Sequence, residues 1–315
     1  MHKKRLIQNS ILSILLTTLL SGCMNQQNDF APESMAYILQ VGKKIGMTRA
    51  ERLKTINDAK RDLIVLDYSE HGDKQSKWTK KEITTLKRNG QSQVVCYLSI
   101  GEAEDYRSYW EKQWNTTKPH FLCKENENWP GNFKVKYWQQ NWQQVILDYL
   151  DEIIAQGFDG VYLDIVDAFQ FFEYDAETDD WIDGRINTAS NNSYRQDMVN
   201  LVMTIAKHSR SKNKDFIIIP QNGSELLNLP MYADVISGIG IEDLFTEGNK
   251  KQQRNHTEEV QQNLLIMNKI PKPILVIEYP SKDKMKSYVR DRSKKETMTM
   301  LITDRPLKMI GESWR

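Results

Sequence analysis

Nine short apolar runs, separated by stretches of helical periodicity, constrain this chain more than any other feature. They are Tyr37–Val41, Leu63–Tyr68, Val94–Ile100, Phe133–Trp138, Gly160–Val166, Phe216–Pro220, Asp234–Ile241, Ile274–Tyr279 and Thr297–Thr303. Several are rich in Val, Ile and Tyr and nearly uninterrupted. That is the pattern of parallel strands buried on both faces. Helices fit between them. Thr79-Lys80-Lys81-Glu82 has the form of a capping box, with Gly90 as a C-terminal stop. Trp142, Val145, Ile146, Tyr149, Leu150, Ile153 and Ile154 recur at helical spacing up to Gly157, and residues 197–207 and 257–267 behave alike. Strand–helix alternation over most of 315 residues predicts either a doubly wound sheet or a (β/α)8 barrel. Nine candidates compete for eight barrel places, so one of the outermost runs, Tyr37–Val41 or Thr297–Thr303, is expected to be an addition. No internal repeat or low-complexity linker divides the chain.

The N-terminus has the layout of an export signal. Lys3, Lys4 and Arg5 precede the largely apolar stretch Leu6 to Leu20, which is short for a membrane span. Leu20-Ser21-Gly22-Cys23 resembles the lipobox of bacterial lipoproteins. The resemblance implies cleavage before Cys23, lipidation of that residue and attachment to a membrane surface of the cell envelope. Residues 1–23 are therefore read as a signal, 24–36 as a polar tether and 37–315 as the functional domain. Lys plus Arg (43) nearly balances Asp plus Glu (42), which argues against a nucleic-acid partner. Cys96 lies in an apolar run and reads as core, Cys123 as a loop residue. Neither has the spacing of a zinc site.

Many of the runs end in acidic or polar residues: Asp67, Glu102, Asp164 followed by Asp167, Gln221-Asn222, Glu242 and Glu278. In barrel enzymes reacting groups gather at the C-terminal strand ends. Carboxylates packed at one mouth repel one another, so stability alone does not favour them. Clustered carboxylates suit glycoside hydrolysis, metal binding or phosphate chemistry. The five histidines (His2, His71, His120, His208, His256) are scattered, and no Gly-rich phosphate cradle is present. A two-carboxylate glycosidase without metal or cofactor fits best. Asp175-x-Glu177-x-Asp179 has the start of a calcium loop, but Asp180 and Ile186 occupy positions where such loops need Gly and Glu.

The residues that carry these acids also carry a resemblance. Val95 to Arg107 (VCYLSIGEAEDYR), Trp129 to Asn132 (WPGN), Gly157 to Asp164 (GFDGVYLD) and Pro220 to Gly223 (PQNG) resemble glycoside hydrolase family 114, the endo-α-1,4-polygalactosaminidase family, and most closely its bacterial lipoprotein branch. The resemblance covers roughly residues 37–305. It implies a (β/α)8 barrel acting on an amino-sugar polysaccharide, with Asp164 as nucleophile or charge stabiliser and Glu242 as general acid/base. Glu278 remains a rival for the second role. Asp67, Tyr97, Glu102, Trp129, Asp167, Asn222 and Glu278 are the candidate substrate contacts. Glu102 and Arg107 alternatively form a structural ion pair. Trp110 and Trp129 are placed in loops where sugars stack, whereas Trp142 belongs to a helical core stripe. The acidic loop from Phe169 to Tyr194, where the chain departs from better-understood members, reads as a lid that attracts a cationic glycan. Two other classes stay open: a non-catalytic glycan-binding lipoprotein on the same barrel, and a metal-dependent polysaccharide deacetylase.

Overall fold

A computed structural model describes residues 30–40, 48–270 and 272–315. The export signal, Cys23 and most of the tether lie outside these. Among these residues eight parallel strands, buried except at one end residue of β3, β4 and β6, form the centre: β1 Met35–Ile38, β2 Leu63–Leu66, β3 Gln93–Ser99, β4 Gly160–Asp164, β5 Ile217–Pro220, β6 Ile239–Glu242, β7 Ile274–Glu278 and β8 Thr299–Ile302. Strands β1 to β5 make one continuous ladder, and β6 to β8 a second. Eight helices accompany them: α1 Arg49–Asp58, α2 Lys80–Leu86, α3 Gln140–Gln156, α4 Phe169–Glu173, α5 Tyr194–Lys212, α6 Tyr232–Val235, α7 Arg254–Leu264 and α8 Asp283–Ser293. The arrangement is a (β/α)8 barrel.

The local signals explain the helix ends. Thr79 and Glu82 complete the expected capping box at α2, and Thr48 with Glu51 makes a second one at α1. Gly157 ends α3 in the left-handed conformation, φ 88°, which favours a residue without Cβ. Side-chain parity then splits the core in two. Met35, Tyr37, Val65, Val95, Tyr162 and Ile277 point into the barrel and pack together. Their sequence neighbours Ala36, Ile64, Cys96, Val161 and Val276 point outward against the helices. Both remaining cysteines are free thiols, Cys96 buried and Cys123 half-buried.

Three expectations change, and one strand is new. Both outermost runs are barrel strands, and the extra run is Phe133–Trp138. Its first residues belong to the strand Asn132–Val135, which lies instead in an antiparallel sheet with Glu102–Glu104 and Leu122–Glu125, outside the barrel. The sequence there alternates apolar and charged residues (Phe133, Lys134, Val135, Lys136), which marks a strand with one wet face rather than one buried on both. Strand β1 also starts inside the stretch read as tether, since Met35 and Ala36 are fully buried. The run Asp234–Ile241 divides into α6 and β6, with Glu242 as the last strand residue. Finally, β9 (Glu312–Trp314) adds an antiparallel strand to β8.

The two ladders meet at two seams, and neither seam is an ordinary ladder. At β5–β6 one parallel bridge, Gln221 with Gly240, joins the sheets. Side chains extend it: Ser237 Oγ accepts from Ile218 N (3.0 Å), and Asn222 Oδ1 accepts from Glu242 N (3.0 Å). At β8–β1 the Ser313 hydroxyl of β9 accepts from Met35 N (2.8 Å) and donates to Met300 O (2.6 Å). The Thr299 hydroxyl donates to Pro32 O at 2.5 Å alongside.

Candidate active site

The inward parity of β4 and β6 sends the last side chain of each, Asp164 and Glu242, into the mouth of the barrel, with the end of β5 between them. Gly240, two residues before Glu242, shares that inward face. A Cβ there would lie 1.8 Å from the Tyr162 hydroxyl, so the ring of Tyr162 fills the space below the pair only because residue 240 is glycine. The residue after each inward group adopts a left-handed backbone: Ile165 (φ 55°), Asn222 (φ 59°) and Asp243 (φ 53°). Asn and Asp tolerate this conformation, but a β-branched Ile does so at a cost of roughly 1–3 kcal/mol, and such strain clusters at functional sites.

Each carboxylate has its own phenol. Tyr97 Oη donates to Asp164 Oδ2 at 2.8 Å, and Tyr279 Oη donates to Glu242 Oε1. One amide serves both. Gln221 Nε2 donates to Glu242 Oε2 at 2.7 Å and to Asp164 Oδ1 at 3.3 Å. Two hydrogen bonds from one nitrogen keep the nearest carboxylate oxygens within the sum of those lengths, about 6 Å. Burial, and then the charge of Glu242, pushes Asp164 up to about 8. Burial pushes Glu242 up to about 6 against the donation from Tyr279. Two such neighbours titrate as a unit, and between those values the pair holds one proton.

The other acids are arranged differently. Asp67 is fully buried but does not touch the pair. It is ion-paired to Arg107, whose Nε also donates to Glu104 Oε2 at 2.6 Å. Glu104 in turn accepts from Tyr106 Oη at 2.6 Å and lies 3.5 Å from Tyr97 Oη. A buried charge network therefore backs the phenol that holds Asp164. Burial alone would lower the Arg107 pKa, yet Asp67 and Glu104 hold it above its ordinary value. The pairing of Glu102 with Arg107 does not form. Glu102 binds Lys134 Nζ (2.6 Å) and Asn126 Nδ2 (2.9 Å) within the side sheet. Glu278 falls on the outward face of β7, one residue before the inward Tyr279. It accepts from Phe245 N (2.7 Å), Thr246 N (3.1 Å) and Thr246 Oγ1, and so ties down the loop after β6. Burial pushes it up to about 7. Asn222 is engaged with the backbone of Glu242. Asp167 lies beyond β4 in the turn Val166–Ala168, where burial and the Glu225 charge push it up to about 6.

Two long excursions rise from the same side of the mouth. The side sheet follows β3 and the segment 166–193 follows β4. The latter is built from α4 and two small hairpins, Tyr174–Asp175 with Asp180–Trp181 and Ile186–Asn187 with Asn192–Ser193. They meet where Lys124 and Lys134 lie against the ring of Phe171. Trp129 (59% exposed) and Trp181 (58%) project to solvent. Trp110 packs on Trp114 and Phe133, and Trp142 is core, its Nε1 donating to Ile100 O at 2.9 Å. Among the described residues no group of three His, Cys, Asp or Glu is spaced to hold a metal ion.

The sequence names Gln221 as a polar strand end without giving it a role, and it passes over Tyr279, Glu104 and Arg305. The last is ion-paired with Asp243 (2.8 Å) and its guanidinium lies 3.9 Å from the Tyr279 ring centre. Strand parity was the available signal for Tyr279: one residue past β7, it continues the inward face of Leu275 and Ile277.

The family model for glycoside-hydrolase family GH114 matches residues 24–315. An uncharacterized protein of Methanocaldococcus jannaschii is 38% identical over 224 residues, 69% of this chain and 60% of that protein, so the match spans less than two thirds of that relative. One from Thermotoga maritima is 31% identical over 281 residues, 88% of this chain and 80% of that one. Among solved structures, the glycoside hydrolase domain of PelA from Pseudomonas aeruginosa superposes with a TM-score of 0.64 at 17% identity, covering 90% of this chain and 98% of the domain. Aspergillus fumigatus Ega3 in complex with galactosamine gives 0.62 at 18% identity, covering 89% and 94%. At these identities the structural likeness speaks to the fold.

Proposed function

Since the chain belongs to glycoside-hydrolase family GH114 and is a glycoside hydrolase, we propose that it cleaves an α-1,4-linked galactosaminan by double displacement, with Asp164 as nucleophile and Glu242 as general acid/base. The observation that carries this reading is the shared amide of Gln221, which keeps the nearest oxygens of the two carboxylates within about 6 Å. Retaining enzymes place their carboxyls about 5–5.5 Å apart, whereas inverting ones leave roughly 6.5–9.5 Å for a water. Galactosamine bound in the Ega3 structure supports an amino sugar as the substrate.

In the first step Asp164 attacks the anomeric carbon as the bond to the leaving oxygen breaks, and Glu242 gives that oxygen its proton. In the second, Glu242 takes a proton from water, which attacks the anomeric carbon and releases Asp164 as carboxylate. In the free site Asp164 holds its proton more tightly than Glu242 does. A protonated amine on C2 adjoins the carbon that Asp164 attacks. That cation favours the ionised form of Asp164 and leaves the proton to Glu242, so a cationic sugar sets the roles.

The reading is tested by incubating the protein with fully acetylated and partly deacetylated galactosaminan and following the product anomer by NMR. Cleavage of the deacetylated polymer with retained α configuration is expected. An inverted product, or cleavage of neutral glycans alone, overturns it. We also propose that the protein is exported and anchored by lipid at Cys23, as its lipobox-like sequence suggests. Replacing Cys23 by Ala should move it from the membrane fraction to the soluble fraction.

A further inference from the structure

Among the described residues Gln221 is the one that hydrogen-bonds to both carboxylates, and its chemistry differs from theirs. It lies at the end of β5, between the strands that carry Asp164 and Glu242, and it is paired in parallel with Gly240 across the β5–β6 seam, where Asn222 N donates to Gly240 O at 2.8 Å. Its own N–H donates to Leu163 O at 2.8 Å, beside Asp164 in sequence. Its side chain is buried, 4% exposed. We propose that Gln221 is a positioning residue that spans the two sheets and fixes the spacing of Asp164 and Glu242 while adding no charge to the site. The inference rests on the reading that these two carboxylates react.

Three observations support it. The amide orientation is fixed by its surroundings, because a carbonyl oxygen turned toward two carboxylates would meet only acceptors. The nitrogen therefore faces them, and Oε1 is left buried with no hydrogen-bond partner among the described residues. A buried acceptor without a donor bears its full desolvation cost, so two bonds to carboxylates hold the amide against that cost. The backbone treats Gln221 as it treats the carboxylates: each of the three precedes a left-handed residue, Ile165, Asn222 or Asp243. The chemistry of the pair also requires a neutral donor. A Lys at this place would hold both groups ionised and remove the acid, whereas an apolar side chain would let like charges separate. An amide donates to each and leaves room for one shared proton.

The experiment compares wild type with Gln221→Met, close in length but without donors, and Gln221→Asn, which keeps the amide one methylene short. Carboxyl 13C NMR titration of Asp164 and Glu242 is recorded beside steady-state kinetics on partly deacetylated galactosaminan and thermal melting. Removing the donors should raise both apparent pKa values by at least about half a unit, because hydrogen bonds to a carboxylate favour its ionised form. It should lower kcat about tenfold to a hundredfold, the scale of an ångström misplacement, with KM little changed. Gln221→Lys should shift both titrations the other way. An unchanged titration in Gln221→Met, or a loss of kcat that merely follows Tm across the variants, overturns the proposal. If Asp164→Asn and Glu242→Gln retain wild-type cleavage, the two-carboxylate reading fails instead. The titration still decides whether Gln221 couples the two groups.

Discussion

The two seams of the barrel solve one geometric problem in opposite ways. Each has to join sheets whose strands do not form a full ladder, and each uses side chains where backbone pairing stops. At β8–β1 the joining atoms are hydroxyls, Ser313 and Thr299, and they satisfy backbone groups only. At β5–β6 the joining side chains include amides, and one of them is spent on the carboxylates of the mouth. The first seam closes the fold. The second lies next to strain at Ile165 and an orphaned acceptor on Gln221. Imperfect pairing is thus tolerated where it places chemistry and repaired where it does not.

Four experiments sharpen or break this contrast. The largest effect is expected at the pair itself. Asp164→Asn and Glu242→Gln should each lower kcat by about a thousandfold or more, while the neighbouring acid Glu278, saturated with donors, should not matter to kcat. In the wild type, kcat/KM should fall below about pH 6, as the pair takes a second proton, and above about pH 8, as it loses the last. Both folded-state values are raised above those of an unfolded chain. The stability they contribute is complete at acid pH and is lost as pH rises through about 6 to about 8. The Asn variant should therefore melt higher than wild type at pH 8 and no higher at pH 4. A lower melting temperature at pH 8 would mean that the pair holds the seam together, and the contrast would collapse.

Next comes Gly240→Ala, which drives a methyl toward the Tyr162 hydroxyl. Overpacking of this kind costs about 1–3 kcal/mol or more. Trimming the hydroxyl in a double variant with Tyr162→Phe should recover part of it in a denaturant titration; full additivity would show that the two side chains do not meet. At the other seam, Ser313→Ala leaves Met35 N without its partner and takes one donor from Met300 O. A loss of about 1–3 kcal/mol with kcat unchanged is expected. A change in kcat would show that the seams are coupled. The smallest effect belongs to Glu278→Gln. It keeps two acceptor positions on its oxygen but weakens three bonds to the loop at Phe245 and Thr246. A modest drop in melting temperature without a shift of the pH profile is expected, and a shifted profile would return Glu278 to the site.

Much of this was legible beforehand because the physics is local. Doubly buried strands read as unbroken Val and Ile runs, and Thr79 with Glu82 or Gly157 mark helix ends by their own chemistry. Asp164 could be singled out because its strand motif is long. The rest depends on side-chain direction and on partners far along the chain. Glu278 and Tyr279 are adjacent in sequence, and only the parity of β7 sends the phenol inward and the acid outward. Phe133–Trp138 reads as a barrel strand when its apolar residues are weighed above their alternation with lysines. Arg107 sits near Glu102 in sequence, but it turns to Asp67, forty residues away. No pattern in a single sequence marks Ser313 as the partner of Met35.

That last pairing has a kinetic consequence. Met35 and Ser313 are 278 residues apart, so the hydroxyl that joins β1 to β8 makes one of the most non-local contacts in the molecule. Bringing such distant segments together carries a loop-closure cost that only contacts at the join can offset. The two ladders are therefore expected to assemble first and the β8–β1 junction late, after the rate-limiting barrier. Weakening it should then accelerate unfolding and leave the refolding rate nearly untouched, which makes one serine a control on how long the folded enzyme persists.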